Sequence, residues 1–196
     1  MASDSEQLVD EILVMDCQSG SSQALDMLVS RWQQRLWRYA CRLTGNSEAA
    51  WEVTQESWVG IIRGLRRLSD PARFRPWAYR IVTNKARDWI GRNVKHRQLQ
   101  SEQAPADCVR DDGPTHETSA DLEAILSRLP ERSRTVLTLY YLEEFPLAEI
   151  AKILRVPKGT VKSRLHKARG EFKELWRTSS ETPRGRTPAE SKGETR

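Results

Sequence analysis

Apolar side chains recur along most of the chain at intervals of three and four residues, the repeat that gathers them on one face of an α-helix. Leu25, Leu28, Val29, Trp32, Leu36, Tyr39, Ala40 and Leu43 form the first such stripe. Gly45-Asn46-Ser47 interrupts it, and Asn46 or Ser47 can cap the helix that follows. This second helix is expected to run to about Leu68, with Trp51, Val53, Trp58, Ile61, Ile62 and Leu65 on its buried face. Ser69-Asp70-Pro71 ends it. A third helix from about Arg73 to Arg97 should turn Phe74, Trp77, Ile81 and Trp89 toward the other two. No stretch alternates as a strand would, and no Asn-Gly marks a hairpin.

Helical periodicity resumes after residue 119. Leu122, Ile125, Leu126 and Leu129 predict a short helix ending at Pro130, and Val136, Leu137, Leu139 and Tyr140 predict another. Between the two helical modules, residues 98–119 hold almost no large apolar side chain and include Pro105, Gly113 and Pro114. Such a segment buries too little surface to offset the entropy of ordering it, so it reads as a flexible acidic linker. The polar, Pro/Gly/Ser/Thr-rich stretch 177–196 reads as a disordered tail. The expected fold class is therefore all-α. It comprises an acidic N-terminal extension (1–21), a helical domain (22–97), the linker (98–119) and a second helical domain (120–176).

Composition adds limits rather than detail. With 38% hydrophobic and 30% charged residues in 196, the chain is a charge-rich globular protein with a modest core. No apolar run approaches the roughly 18–20 residues of a bilayer span, and the N-terminus is acidic where a signal peptide would be basic, so a cytoplasmic location is expected. Cys17, Cys41 and Cys108 are widely spaced and form no CxxC, which argues against a disulfide framework or a thiolate zinc site. Charge becomes informative when resolved along the chain. Residues 1–30 carry six acids and no base, whereas residues 73–97 carry eight bases against Asp88 alone. Residues 101–123 carry seven acids against Arg110, and residues 155–173 seven bases against Glu171. Two basic blocks separated by an acidic one suggest two surfaces that each meet a polyanion. Solvated helix faces joined by a solvated linker are the plainer alternative.

The last basic block coincides with a helix-turn-helix pattern. Leu147, Ile150, Ala151 and Leu154 suit a scaffold helix, with Ala151 as the small residue at the crossing. Val156 lies in the turn, Pro157 suits the start of the next helix, and Val161 and Leu165 anchor it. Arg155 stands where a glycine often ends the first helix, which predicts a looser turn or a left-handed residue. Facing outward are Lys158, Thr160, Lys162, Ser163, Arg164, His166 and Lys167, whose groups suit phosphates and guanine edges. A helical hairpin with a solvated basic face is the competing reading.

Three segments in order then resemble one family. FRPWAYRIVTNKARDWI is similar to the end of the second conserved region of bacterial sigma factors of the extracytoplasmic-function (ECF) group. The residues that carry this likeness are Phe74, Trp77, Tyr79, Arg80, Ile81, Asn84, Trp89 and Ile90. EAAWEVTQESWVGIIRGL resembles the family's clamp-binding helix, with Gln55-Glu56 at its most recognisable dipeptide. LSRLPERSRTVLTLYYLEEFPLAEIAKILRVPKGTVKSRLHKAR resembles the fourth region almost end to end. The resemblance implies a protein that binds core RNA polymerase, directs it to promoters and assists duplex opening. It implies contacts from Glu52, Gln55 and Glu56 to the clamp of the largest subunit, and from the second module to the flap. Around the −10 element it implies Asp70, Arg73, Arg75, Tyr79, Arg80, Asn84, Lys85 and Arg87, and at the −35 element the helix from Lys158 to Lys167. An anti-sigma factor is a further implied partner. No cofactor or metal is implied.

Residue chemistry agrees with that role. Opening a duplex needs cations for backbone and flat rings for exposed bases, and the third helix interleaves Arg80, Lys85, Arg87 and Arg92 with Trp77, Tyr79 and Trp89. Core packing is the alternative for Trp77 and Trp89, whose spacing puts them near one face, so Tyr79 and Asn84 are the better candidates for exposure. A fully extended 22-residue linker reaches ~73–79 Å, enough for promoter elements two helical turns, ~70 Å, apart. No enzyme constellation is present: His96, His116 and His166 lie at no metal-ligand spacing with Cys, Asp or Glu, and no Walker, G-x-S-x-G or H-E-x-x-H motif occurs. The rivals are a nucleic-acid enzyme such as a recombinase, which would cleave strands unaided, and a dimeric helix-turn-helix regulator, which would bind a palindrome without polymerase.

Overall fold

Helix boundaries follow from local caps. The computed structural model describes residues 4–97 and 116–181, with side chains for 5–92 and 122–179. The first module comprises α1 (Asp4–Gln18), α2 (Ser22–Thr44), α3 (Ser47–Leu65), a 3-10 turn (Pro71–Arg73) and α4 (Phe74–Arg97). Ser21 caps α2 by accepting from the Ala24 amide, and Gly45 ends it at φ 68°, a left-handed conformation that glycine adopts without strain. Asn46 then caps α3, its side chain accepting from Ala49 N at 2.8 Å. Asp70 starts the 3-10 turn in the same way.

The core of this module is aromatic. Trp32 meets Phe74 edge-on at 5.4 Å between centroids, and Tyr39 lies 4.8 Å from Tyr79. Leu28, Leu36, Leu43 and Ile61 complete it. The buried face of α4 is Phe74, Ala78, Tyr79, Val82, Thr83 and Ala86, so Trp77, Ile81 and Trp89 sit on its flank, partly buried. Trp51 and Ile62, expected inside, are exposed on α3.

The acidic N-terminal extension forms α1 and packs on the module. Asp10 is buried in α1, where it accepts from Trp32 Nε1 and Arg31 Nε, each at 3.0 Å. Gln18 donates to the carbonyls of Leu65 and Leu68, stitching the end of α1 to the end of α3. The Cys17 thiol is free, and burial pushes its pKa up. Cys41 is buried in α2.

The second module comprises α5 (His116–Arg128), α6 (Glu131–Leu137), a π-turn (Thr138–Leu142), α7 (Leu147–Leu154) and α8 (Lys158–Glu181). Ile125, Leu126, Leu129, Val136, Leu139, Phe145, Ile150, Ile153, Val161, Leu165 and Ala168 fill its centre. Among the described residues every element is helical. Of the expected linker, residues 116–119 open α5 and 98–115, with Cys108, lie outside the described residues. Of the expected tail, 177–181 continue α8 and 182–196 lie outside. The modules pack together, α4 against α7 and α2 against α5 and α6.

Candidate nucleic-acid interface

The turn between α7 and α8 is built on backbone bonds to one small residue. Arg155 takes up φ 54°, ψ 47°, the left-handed alternative foreseen for it, and its N–H and that of Val156 both reach the Ala151 carbonyl. Pro157 precedes α8 as its cap, its carbonyl accepting from Val161 N at 3.2 Å. Val161, Leu165 and Ala168 turn inward. That leaves Lys158, Lys162, Ser163, His166 and Lys167 exposed, and Thr160 and Arg164 half-exposed, on the opposite face. Lys167, well exposed, pairs with the half-buried Glu171 at 3.6 Å.

The residues expected around the −10 element divide. Asp70 caps the 3-10 turn and pairs with Arg73 at 3.0 Å, both well exposed. Arg80, Asn84 and Lys85 lie half-buried along α4. Arg75, Tyr79 and Arg87 meet the second module. Arg75 donates to the Glu143 carbonyl and lies 4.4 Å over the Phe145 ring, and Arg87 faces Glu131 at 3.4 Å. Tyr79 is only 2% exposed, so it is not the open side chain that the sequence suggested while the modules are packed together. The reason is its position one residue from Ala78, on the side of α4 that Trp32, Tyr39 and Phe145 enclose. Its hydroxyl donates to the Glu143 carboxylate, and burial, with that carboxylate beside it, pushes the phenol pKa far up.

The polymerase-facing residues also divide. Glu56 pairs with Lys85 at 2.9 Å, and this hydrogen bond holds its carboxyl below the usual range. Glu52 accepts from Trp89 Nε1 at 3.0 Å, and Arg92 stands between Glu52 and Glu56 at 3.9 and 3.8 Å. The two glutamates thus belong to the α3–α4 contact. Gln55 is open to solvent, in line with exposed Trp51, Val59 and Ile62 at helical spacing.

Arg35, Arg38 and Arg42 on α2 line the same crevice as Arg75 and Tyr79, and no motif pointed to them. Their spacing was visible, but an amphipathic helix carries solvated arginines at that spacing for no special purpose.

Two family models match the chain, Sigma-70 region 2 over residues 28–96 and Sigma-70 region 4 over residues 119–171. The ECF RNA polymerase sigma-E factor of Haemophilus influenzae is 33% identical over 177 residues, covering 84% of this chain and 93% of that protein. The chain belongs to the ECF sigma factors. The Bacillus subtilis ECF sigma factor SigW is 28% identical and aligns over 90% of its own length. Among solved structures, the ECF sigma factor resembles CnrH in complex with the cytosolic domain of CnrY (TM-score 0.64, 25% identity, 89% of this chain and 99% of that one). It shares its fold with RpoE of Bartonella quintana, solved in complex with the anti-sigma factor NepR (TM-score 0.67, 17% identity, 78% of this chain and 96% of that one). As a sigma factor it serves promoter-specific transcription initiation and is not an enzyme.

Proposed function

We propose that the two modules read the two promoter elements separately, α8 the −35 element and the Asp70–Arg87 surface the −10 element. The observation that carries this is the clean division of α8. Val161 and Leu165 lock it to α7, while Lys158, Thr160, Lys162, Ser163, Arg164, His166 and Lys167 share the accessible side, a width that suits a major groove. At the −10 element the side chains of Asp70, Arg73 and Arg87 are exposed as the fold stands, Arg80, Asn84 and Lys85 are half-buried with Lys85 on Glu56, and Arg75 is freed once the modules part.

Core polymerase docks on the outer side of α3, through Gln55 and the apolar row Trp51, Val59 and Ile62. Aliphatic and aromatic groups left in water at one helical face support a protein partner there. The second module contacts the flap. A protein regulator of the anti-sigma kind is a fitting partner, since the solved relatives CnrH and RpoE are complexes, the latter with a named anti-sigma factor. Among the described residues no helix is long and apolar enough to cross a membrane, and a partner of core polymerase works in the cytoplasm beside the chromosome.

Multi-round transcription with purified core polymerase on a genomic library, with start sites mapped, tests this reading. New starts sharing two spaced elements are expected, and Arg164→Glu should abolish dependence on the upstream one. No new transcripts from the intact chain would sink it.

A further inference from the structure

A crevice of about 350 Å³ opens between the modules, and its charged lining sorts by origin. The cations all belong to the first module. Arg35, Arg38 and Arg42 follow one face of α2 at i, i+3 and i+7, and Arg75 joins them from the first turn of α4. The anions are laid on them from elsewhere: Glu6 of α1 stands 3.4 Å from Arg35, and Glu143 of the second module 3.2 Å from Arg42. One turn earlier Arg31 extends the row, and Asp10 of α1 takes it at 3.0 Å. Like charges at these spacings repel, and each guanidinium presents a planar fork that fits phosphate oxygens. Such a row calls for an anion along it, and here carboxylates from two other elements fill the place.

We propose that Arg35, Arg38 and Arg42 form a track for the backbone phosphates of single-stranded DNA, continuing from Arg75, and that Glu6 and Glu143 occupy it as internal anions until a strand displaces them. The inference rests on the −10 reading of the Asp70–Arg87 surface, since Arg75 belongs to both. From Arg35 to Arg42 the helix rises ~10 Å, room for about two or three phosphates. Trp32 and Tyr79 on the crevice wall are fully packed, so bases find no open ring to stack on and the contact is to backbone. The track therefore adds affinity and orientation but no sequence preference.

The test uses holoenzyme assembled from the full chain and core polymerase, a short fluorescent single strand, and anisotropy over a salt series. Replacing all three arginines by glutamine should lower the slope of log affinity against log salt by about 1.4–2, at ~0.7 per phosphate released. Replacing all three by lysine should keep most of the slope, which separates charge from packing. In the free chain, Glu143→Gln should bind the strand more tightly, by up to about fivefold, because one competing anion is gone. An unchanged slope in a glutamine variant that melts like the parent overturns the track, as does a lysine variant that loses the slope equally. Pyrophosphate titrated into the free chain distinguishes a small phosphate ligand; arginine-dependent pyrophosphate binding without arginine-dependent strand binding also overturns it. If the unsubstituted holoenzyme starts no transcripts, the parent reading falls. If it transcribes normally and the slope stays constant, only the track falls.

Discussion

Two single residues hold strain or space that a substitution would expose. Arg155 closes α7 at φ 54°, where the Cβ of an L-residue crowds the next carbonyl at a cost of roughly 1–2 kcal/mol. Arg155→Gly removes that crowding while giving the unfolded chain more freedom, so a net gain of about 0.5–1 kcal/mol is expected in urea unfolding. An unchanged or lower midpoint would show that the turn absorbs the side chain without strain. Gly64 presents the opposite case. A Cβ built there falls 2.8 Å from Cζ2 of Trp77, whose ring also contacts Phe74 at 6.3 Å between centroids. Gly64→Ala brings the usual helix-propensity gain of about 1 kcal/mol but forces the indole outward, and overpacking costs ~1–3 kcal/mol. The thermal midpoint should fall; a rise would mean that Trp77 moves aside freely. Arg155 could be read from sequence, because a non-glycine at the end of a scaffold helix leaves few backbone options. Gly64 could not, because its need comes from a residue thirteen positions later on another helix.

Among the elements, α3 shows how a helix can carry two apolar faces for two purposes. Val53, Trp58, Ile61 and Leu65 pack inward, whereas Trp51, Val59 and Ile62 remain in water on the side of Gln55. Periodicity alone assigned Trp51 and Ile62 to the core, because hydrophobicity reports that a residue will be covered and not by what. On α4 the large aromatics drew the predicted face, yet Ala78 and Ala86 mark the true one, since small residues let α2 and α4 approach. The α1 helix offers no single apolar stripe in sequence, being apolar on both sides and acidic between, with Leu8, Ile12 and Met15 exposed and Leu13 and Val14 buried. The helix-turn-helix was legible almost residue by residue, since its constraints are local. Because Glu56 is spent on Lys85 and Arg92, core polymerase binding should depend more on the open row. Gln55→Ala with Ile62→Glu should weaken core affinity by tenfold or more in a competition assay, and Glu56→Gln should weaken it less. Equal affinities throughout would move the docking face off α3. Glu56 also predicts a pH effect on the α3–α4 contact. Its carboxyl is lowered in the folded chain by the Lys85 hydrogen bond, so the stabilisation is present above the ordinary carboxylate value and fades as pH falls through the lowered one.

At the scale of the molecule, the contact between modules bears directly on when DNA can be read. Glu143 gathers Arg42, Arg75 and Tyr79, Phe145 packs on Tyr79 at 5.0 Å between centroids, and Glu131 meets Arg87. Three residues of the expected −10 surface are thus held by the module that carries the −35 helix. On the proposed division of promoter contacts, freeing Arg75 and Tyr79 requires this contact to open, and core polymerase is the partner proposed to hold the modules apart. The cluster around Glu143 is largely enclosed, with Phe145 and Tyr79 both buried, whereas the Arg87–Glu131 pair is half-exposed and weak. Glu143→Lys places a cation against Arg42 and Arg75 and should drive the modules apart in the free chain. A compact chain of 196 residues has a radius of gyration of ~16 Å. X-ray scattering should show the variant clearly larger than the parent at low salt, with circular dichroism unchanged. The same variant should bind promoter DNA with less help from core polymerase, narrowing the gap between free chain and holoenzyme. Equal scattering profiles with an equal gap would mean that the contact does not restrain the molecule in solution.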